Sequence, residues 1–115
     1  MNQYMVLLYG GFEATQRLSP EESQTHMLQW RAWFQALIEK GLLVGGQPLG
    51  HEGKVLSGPE GHVVKDGPFA EGKEAVAGYV MLRAETLEEA AETARGCPGL
   101  GVGMALEVRK LLAMP

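Results

Sequence analysis

A single cysteine, Cys97, occurs in the 115 residues, so no internal disulfide can form and a reducing compartment is the expected setting. Basic residues are sparse. Ten Lys and Arg against fourteen Asp and Glu leave a formal charge of −4, and no basic stripe is present. That argues against a nucleic-acid partner held by phosphate neutralisation. No apolar run approaches the ~20 residues needed to cross a bilayer, and no basic segment followed by a small-residue cleavage site opens the chain. A cytoplasmic protein with no membrane contact is the expectation. Internal repeats and low-complexity tracts are lacking. Gly99 to Gly103 has no Lys-Ser/Thr pair and leads into no helix, so it is not a phosphate loop, and no cofactor is expected.

What is present suits one domain spanning residues 1–115, 45% hydrophobic and rich in turns, with sixteen glycines. Gln3 to Tyr9 reads as a strand apolar on both faces, ended by Gly10-Gly11. Ser19-Pro20-Glu21-Glu22 is a strong helix start: Ser at the N-cap, Pro at the first position, Glu22 placed for a capping box. Met27, Trp30, Phe34, Leu37 and Ile38 then recur at three- and four-residue steps, predicting one apolar face up to Gly41. Leu42 to Leu49 reads as a second strand in which Gly45-Gly46 mark a bulge or a close backbone approach, by a dimer mate or a ligand. Lys54–Ser57 and His62–Lys65 flank Gly58-Pro59-Glu60-Gly61 as a small hairpin. Asp66-Gly67-Pro68-Phe69 follows. Gly67 before Pro68 is pushed out of the helical region and Pro68 lacks an N–H, so the segment is a stiff, extended corner, with Phe69 expected to plug it into the core. Ala75 to Arg83 is the clearest strand, with Val76, Gly78, Val80 and Leu82 on one face and Ala77, Tyr79, Met81 and Arg83 on the other. Thr86-Leu87-Glu88-Glu89 opens a second helix, closed at Gly96, and Gly103 to Lys110 is the last strand.

Two strand–helix–strand units with an extra hairpin between them imply an α+β fold, the ferredoxin-like split βαβ with both helices on one face. The other face would expose Met5, Leu7, Tyr9, Tyr79 and Met81 in a monomer. A specific interface buries ~800 Å² per partner. If half is apolar, that is roughly 10 kcal/mol at ~25 cal/mol per Å² before association costs. A homodimer closing an α+β barrel is the expected assembly.

The Asp66-Gly67-Pro68-Phe69 corner, the following Ala70-Glu71-Gly72-Lys73-Glu74, Cys97-Pro98 and the closing Leu106-Glu107-Val108-Arg109 resemble the DGPF-motif group of YciI-related proteins, nearly end to end from Tyr4 to Arg109. The DGPF pattern usually carries Thr where Gly72 stands here. The resemblance implies a dimeric α+β barrel. It also implies chemistry on small ring compounds in some members, or an accessory place beside sigma factors of the extracytoplasmic type. A histidine near the start of the first helix, acting with an aspartate, is a further implication, and His26 is the nearest counterpart.

Asp66 therefore reads as a general acid or base if a cleft desolvates it, or as a turn-capping carboxylate. His26 reads as its helper in proton transfer near neutral pH, or as a hydrogen-bonded helix histidine. Phe69, Tyr9, Tyr79 and Trp30 suit an aromatic-walled pocket, with core or interface packing as the alternative. Glu71 and Lys73 form a charged rim or solvated surface. Arg83 and Arg109 can hold an anionic group or make surface ion pairs. His51 and His62 have no carboxylate or cysteine at ligand spacing, so no metal is expected. Cys97 follows a helix C-terminus, where the dipole disfavours a thiolate. Two functions stay open: a small-molecule-binding protein, possibly doing acid/base chemistry on a small ring or anionic compound in a dimer-associated cleft, or a non-enzymatic accessory of a sigma-factor circuit.

Overall fold

The computed structural model describes all 115 residues. The chain runs β1 (Asn2–Tyr9), α1 (Gly11–Gln16), α2 (Pro20–Glu39), β2 (Leu43–Pro48), β3 (Gly53–Ser57), β4 (Val63–Gly67), β5 (Val76–Ala84), α3 (Leu87–Ala94) and β6 (Ala105–Lys110). A four-stranded antiparallel sheet has the order β2-β5-β1-β6, and β3 with β4 makes a separate hairpin. The units β1–α2–β2 and β5–α3–β6 each place their two strands apart in the sheet, which is the split βαβ, ferredoxin-like arrangement expected. No helix is long and apolar enough to cross a membrane.

Alternation along the two central strands decides where the core lies. Tyr4, Val6 and Leu8 of β1 and Val80, Leu82 and Ala84 of β5 are buried. They pack with Leu37 of α2 and with Ala90 and Ala94 of α3. Met5, Leu7, Tyr79 and Met81, one residue over, are only half-buried. Met5 stands opposite Met81 and Leu7 opposite Tyr79 on that second face.

Both helix starts form as the sequence indicates, with one difference. At α2 the Ser19 hydroxyl accepts from the Glu22 N–H (3.1 Å) and the Glu22 carboxylate accepts from the Ser19 N–H (3.0 Å). At α3 the Thr86 hydroxyl accepts from Glu89, but the Glu89 carboxylate accepts from the N–H of Glu85 instead, one residue further back. Gly41 ends α2 at φ +70°.

Four expectations are corrected. The stripe of α2 is centred on His26, Trp30, Trp33 and Leu37, which fall within about 60° of one another at about 100° per residue. Met27 and Ile38 lie about 100° and about 120° from His26 on that wheel and are 59% and 56% exposed. Phe69 plugs nothing: its ring is 90% exposed in the single chain. A partner-free explanation accounts for Gly46, because a Cβ there would meet the Tyr79 carbonyl of β5 at 2.8 Å. The register shift between Leu43 and Gly45 is the expected bulge. Finally, Gly10-Gly11 does not simply end β1. Gly10 takes φ +78° and α1 starts at once, with Gly11 so close to β5 that a Cβ would lie 2.6 Å from that of Ala77.

The protomer is flat, 46 × 45 × 18 Å, with a radius of gyration of 15.6 Å where about 13 Å is usual for this length. It exposes 8021 Å², about 1,900 Å² more than a folded monomer of 12.4 kDa.

Leu82→Ala, in the fully buried centre, should cost about 2–5 kcal/mol in urea unfolding. Ser19→Ala, which removes the α2 cap, should cost about 1 kcal/mol and Ser19→Asp much less. Equal losses for Ser19→Ala and Ser19→Asp would contradict the capping role.

Candidate functional site

The space that the fold leaves open lies between the first half of α2 and the sheet. Small residues, Gly11 of α1 and Ala77 and Val80 of β5, help form the wall of a cavity of ≈ 420 Å³. Met27, Trp30 and Phe34 of α2 also line it, with Leu18 and Met104. Further along α2 that space is taken up by Trp33 and Leu37, packed with Ala94 and Cys97. The T-shaped contacts of Trp30 with Trp33 (centroids 5.6 Å) and with Phe34 (5.5 Å) stiffen the helix side of the cavity.

His26 lines the same cavity, and it is 8% exposed. Its Nε2 accepts a hydrogen bond from the Trp30 indole N–H at 2.9 Å, one helical turn on. Its Nδ1 is buried and has no partner. Burial holds the imidazole below its ordinary 6.5. The remaining polar residues along the wall are Thr15, Ser23, Gln47 and Tyr79, and no Asp, Glu, Lys or Arg is among the lining residues.

Of the residues singled out in the sequence, His26 and Trp30 come together here, and Tyr79 borders the cavity from β5. Asp66 does not. It lies in β4, its side chain 87% exposed, paired with Lys54 across the hairpin. Its depression is shared with Glu52, Gly53, Lys54 and Gly67 and has no apolar wall. Alternation sends Lys54, Asp66, Leu56 and Val64 to one face of a two-stranded ribbon that no helix covers. Glu71 and Lys73 are exposed at the turn Gly72–Glu74, whose backbone rests against Gly10. Tyr9 is on the second face of the sheet, where its hydroxyl donates to Glu107 at 2.7 Å. That bond to a carboxylate raises the phenol above its ordinary value.

Other side chains have structural partners. Arg83 donates to the carbonyls of Gly41 and Leu43 (both 3.3 Å) at the end of α2. His51 stacks on Phe12 at 4.2 Å, and His62 Nδ1 sits 2.8 Å from the Pro59 carbonyl. No group of three or more His, Cys, Asp or Glu is placed to hold a metal ion. Cys97 is buried, and burial pushes its thiol up to about 11. The sequence points the same way through the helix terminus; desolvation is the stronger cause.

The cavity walls supplied by α1 and by Leu18, Ser23 and Met104 were not apparent in the sequence. The one local signal was the i, i+4 spacing of His26 and Trp30, which lets a donor-only indole meet an imidazole.

Among curated proteins, none matches the chain. The fold is similar to that of a solved structure, 5-chloro-2-hydroxyhydroquinone dehydrochlorinase (TftG) from Burkholderia phenoliruptrix AC1100 in complex with 2,5-dihydroxybenzoquinone. The TM-score is 0.50 at 15% identity, covering 96% of this chain and 93% of that one. The model of the YCII-related domain matches residues 3–112. The chain therefore belongs to the YCII-related domain family.

Proposed function

We propose that the chain works as a homodimer that binds a small ring compound in the cavity under α2, whose wall includes the buried His26. The observation that carries this reading is a buried, unpartnered imidazole nitrogen on a residue that lines an otherwise apolar cavity. At ≈ 420 Å³ the cavity falls in the usual range for small-molecule sites. Leaving that nitrogen dry and unpaired costs the fold about 1–3 kcal/mol. The ring compound bound by the structurally similar dehydrochlorinase is of a size that agrees with this reading. Asp66, on the far hairpin, has no part in it.

The second copy is argued from area. The excess exposure of about 1,900 Å² is more than twice the ~800 Å² that a standard interface takes from each partner. The uncovered face carries Met5, Leu7, Tyr79 and Met81 at its centre. Glu107 and Arg109 on β6 lie opposite Leu7 and Met5 and provide a charged border.

Light scattering should report a particle of twice 12.4 kDa, and Met81→Lys, at the centre of the uncovered face, should return it to the single mass. A wild-type monomer at micromolar concentration would sink the dimer.

For the site, isothermal titration with 2,5-dihydroxybenzoquinone and hydroxylated benzenes is the direct test. Ser23→Trp, at an exposed position beside the cavity, should lower affinity at least about tenfold. Asp66→Asn should leave it unchanged. The reverse pattern would move the site to the Asp66 corner.

The pH dependence of stability follows from the lowered His26 value. The unfolded chain takes up the proton from about pH 6.5 downward while the native imidazole resists it, so stability falls on acidification below 6.5. Between 6.5 and the carboxylate range near 4.5, His26→Gln should show a shallower decline in urea midpoint than wild type. Parallel curves would mean that His26 protonates freely in the folded state.

A further inference from the structure

We infer that His26 is a positioning residue: by accepting the Trp30 indole N–H it fixes that ring in the cavity wall, so that the cavity prefers an aromatic ring to the saturated ring of the same skeleton. This rests on the cavity reading above and specifies its ligand class.

An indole has one polar group, an N–H that donates and never accepts. In a half-buried place such as that of Trp30, it needs an acceptor or is drawn toward water. Helix side chains lean toward the N-terminus, so Trp30 reaches back over the residue one turn earlier. That residue is His26, whose Nε2 accepts the N–H at 2.9 Å. The proton of the neutral imidazole then sits on Nδ1, which is buried without a partner. His26→Leu would remove that penalty, but it would also leave the indole free to turn. The unpaired nitrogen is therefore the cost of holding Trp30, not a contact for the ligand.

The rest of the ring is held as well. Trp33 meets Trp30 edge-on with 5.6 Å between centroids, and Phe34 does so at 5.5 Å. Trp33 and Phe34 are themselves stacked at 5.8 Å. Behind Trp33 stands Gly96, where a Cβ would come within 2.8 Å of the Trp33 Nε1, so that ring has no room to retreat toward the end of α3. Of the three rings, those of Trp30 and Phe34 belong to residues lining the cavity. Aromatic pairs set edge to face or stacked with an offset gain energy beyond the area they bury, and a saturated ring can make neither arrangement. A wall ring already fixed loses no further freedom when such a ligand arrives. One free to turn would adapt to either ring, as the flexible Met27 and Met104 can.

Benzyl alcohol and cyclohexylmethanol, both uncharged and of one skeleton, are the probes, titrated calorimetrically or by ligand-observed NMR. Their different affinities for water cancel when the ratio of the two binding constants is compared between variants. His26→Leu should lower the benzyl alcohol preference at least about threefold. His26→Gln should keep it within about twofold of wild type, because the Gln side-chain oxygen stands as many bonds from the backbone as Nε2. His26→Asn, whose oxygen falls a bond short, should behave like His26→Leu. Loss of packing alone would weaken both alcohols alike and leave the ratio unchanged. Independently of any ligand, the two indole N–H signals can be assigned with Trp30→Phe. The Trp30 signal should exchange slowly with solvent in wild type and in His26→Gln, and quickly in His26→Leu. A ratio equal in all variants, equal retention by His26→Asn, or a Trp30 signal unchanged in His26→Leu would each overturn the inference while leaving the cavity as a binding site. If neither alcohol bound the wild-type protein, the cavity reading itself would fail, and this inference with it.

Discussion

Val6, Val80 and Leu82 are sealed between the central strands and the helices, while Met5, Tyr79 and Met81, each one residue away, point to the opposite face. The two-residue period of a strand makes this separation unavoidable. Because α2 and α3 cover the same side, a sheet whose central strands are apolar on both faces can be dried on one face only by its own chain. The flat outline of the protomer and its surplus of exposed surface follow from this one constraint. So does the need for a second copy in the proposed assembly. The β3–β4 hairpin adds to the surplus. It pairs only with itself, carries the exposed Leu56 and Val64, and two-stranded ribbons are marginal without something to pack against.

On the covered face the packing is uneven, and the unevenness creates the site. Toward the end of α2, Trp33 and Leu37 pack with Ala94 and Cys97. Toward its start, the facing residues are Gly11 and Ala77, too small to reach the helix, and a cavity remains. Gly11 cannot be larger, since its Cβ would collide with that of Ala77. The close approach that seats α1 against β5 is therefore also what leaves room beside it.

His26 concentrates the cost of that arrangement in one atom. Most buried polar groups in folded proteins are paired. The Nδ1 of His26 is the buried side-chain atom left without a partner. Leaving this one atom buried and bare costs the fold about 1–3 kcal/mol. The contact with Trp30 also restricts which proton state the ring can take.

Much of the fold was legible in the residues. The Ser19–Glu22 capping box, the α2 stop at Gly41, the alternation of Val80 and Leu82 against Tyr79 and Met81, and the Gly58–Gly61 hairpin loop are all local signals: each depends on residues within one turn or one strand. The split βαβ order follows from their succession. What failed was everything that depends on distance in space. Phe69 looked like a core plug because aromatic residues next to a proline corner often are, yet the corner sits on a ribbon that leaves the body of the protein. Asp66 could be an acid or base only if a cleft desolvated it, and only the tertiary structure shows it paired with Lys54 in solvent. His26 was read from the sequence either as a proton-transfer helper or as a hydrogen-bonded helix histidine; the bond to Trp30 bears out the second, while the unpaired Nδ1 and the cavity exist only once α1, α2 and β5 converge. Short-range periodicity and capping chemistry determine elements; which surfaces meet, and which atom is left without a partner when they do, is decided by three-dimensional packing that no local pattern encodes.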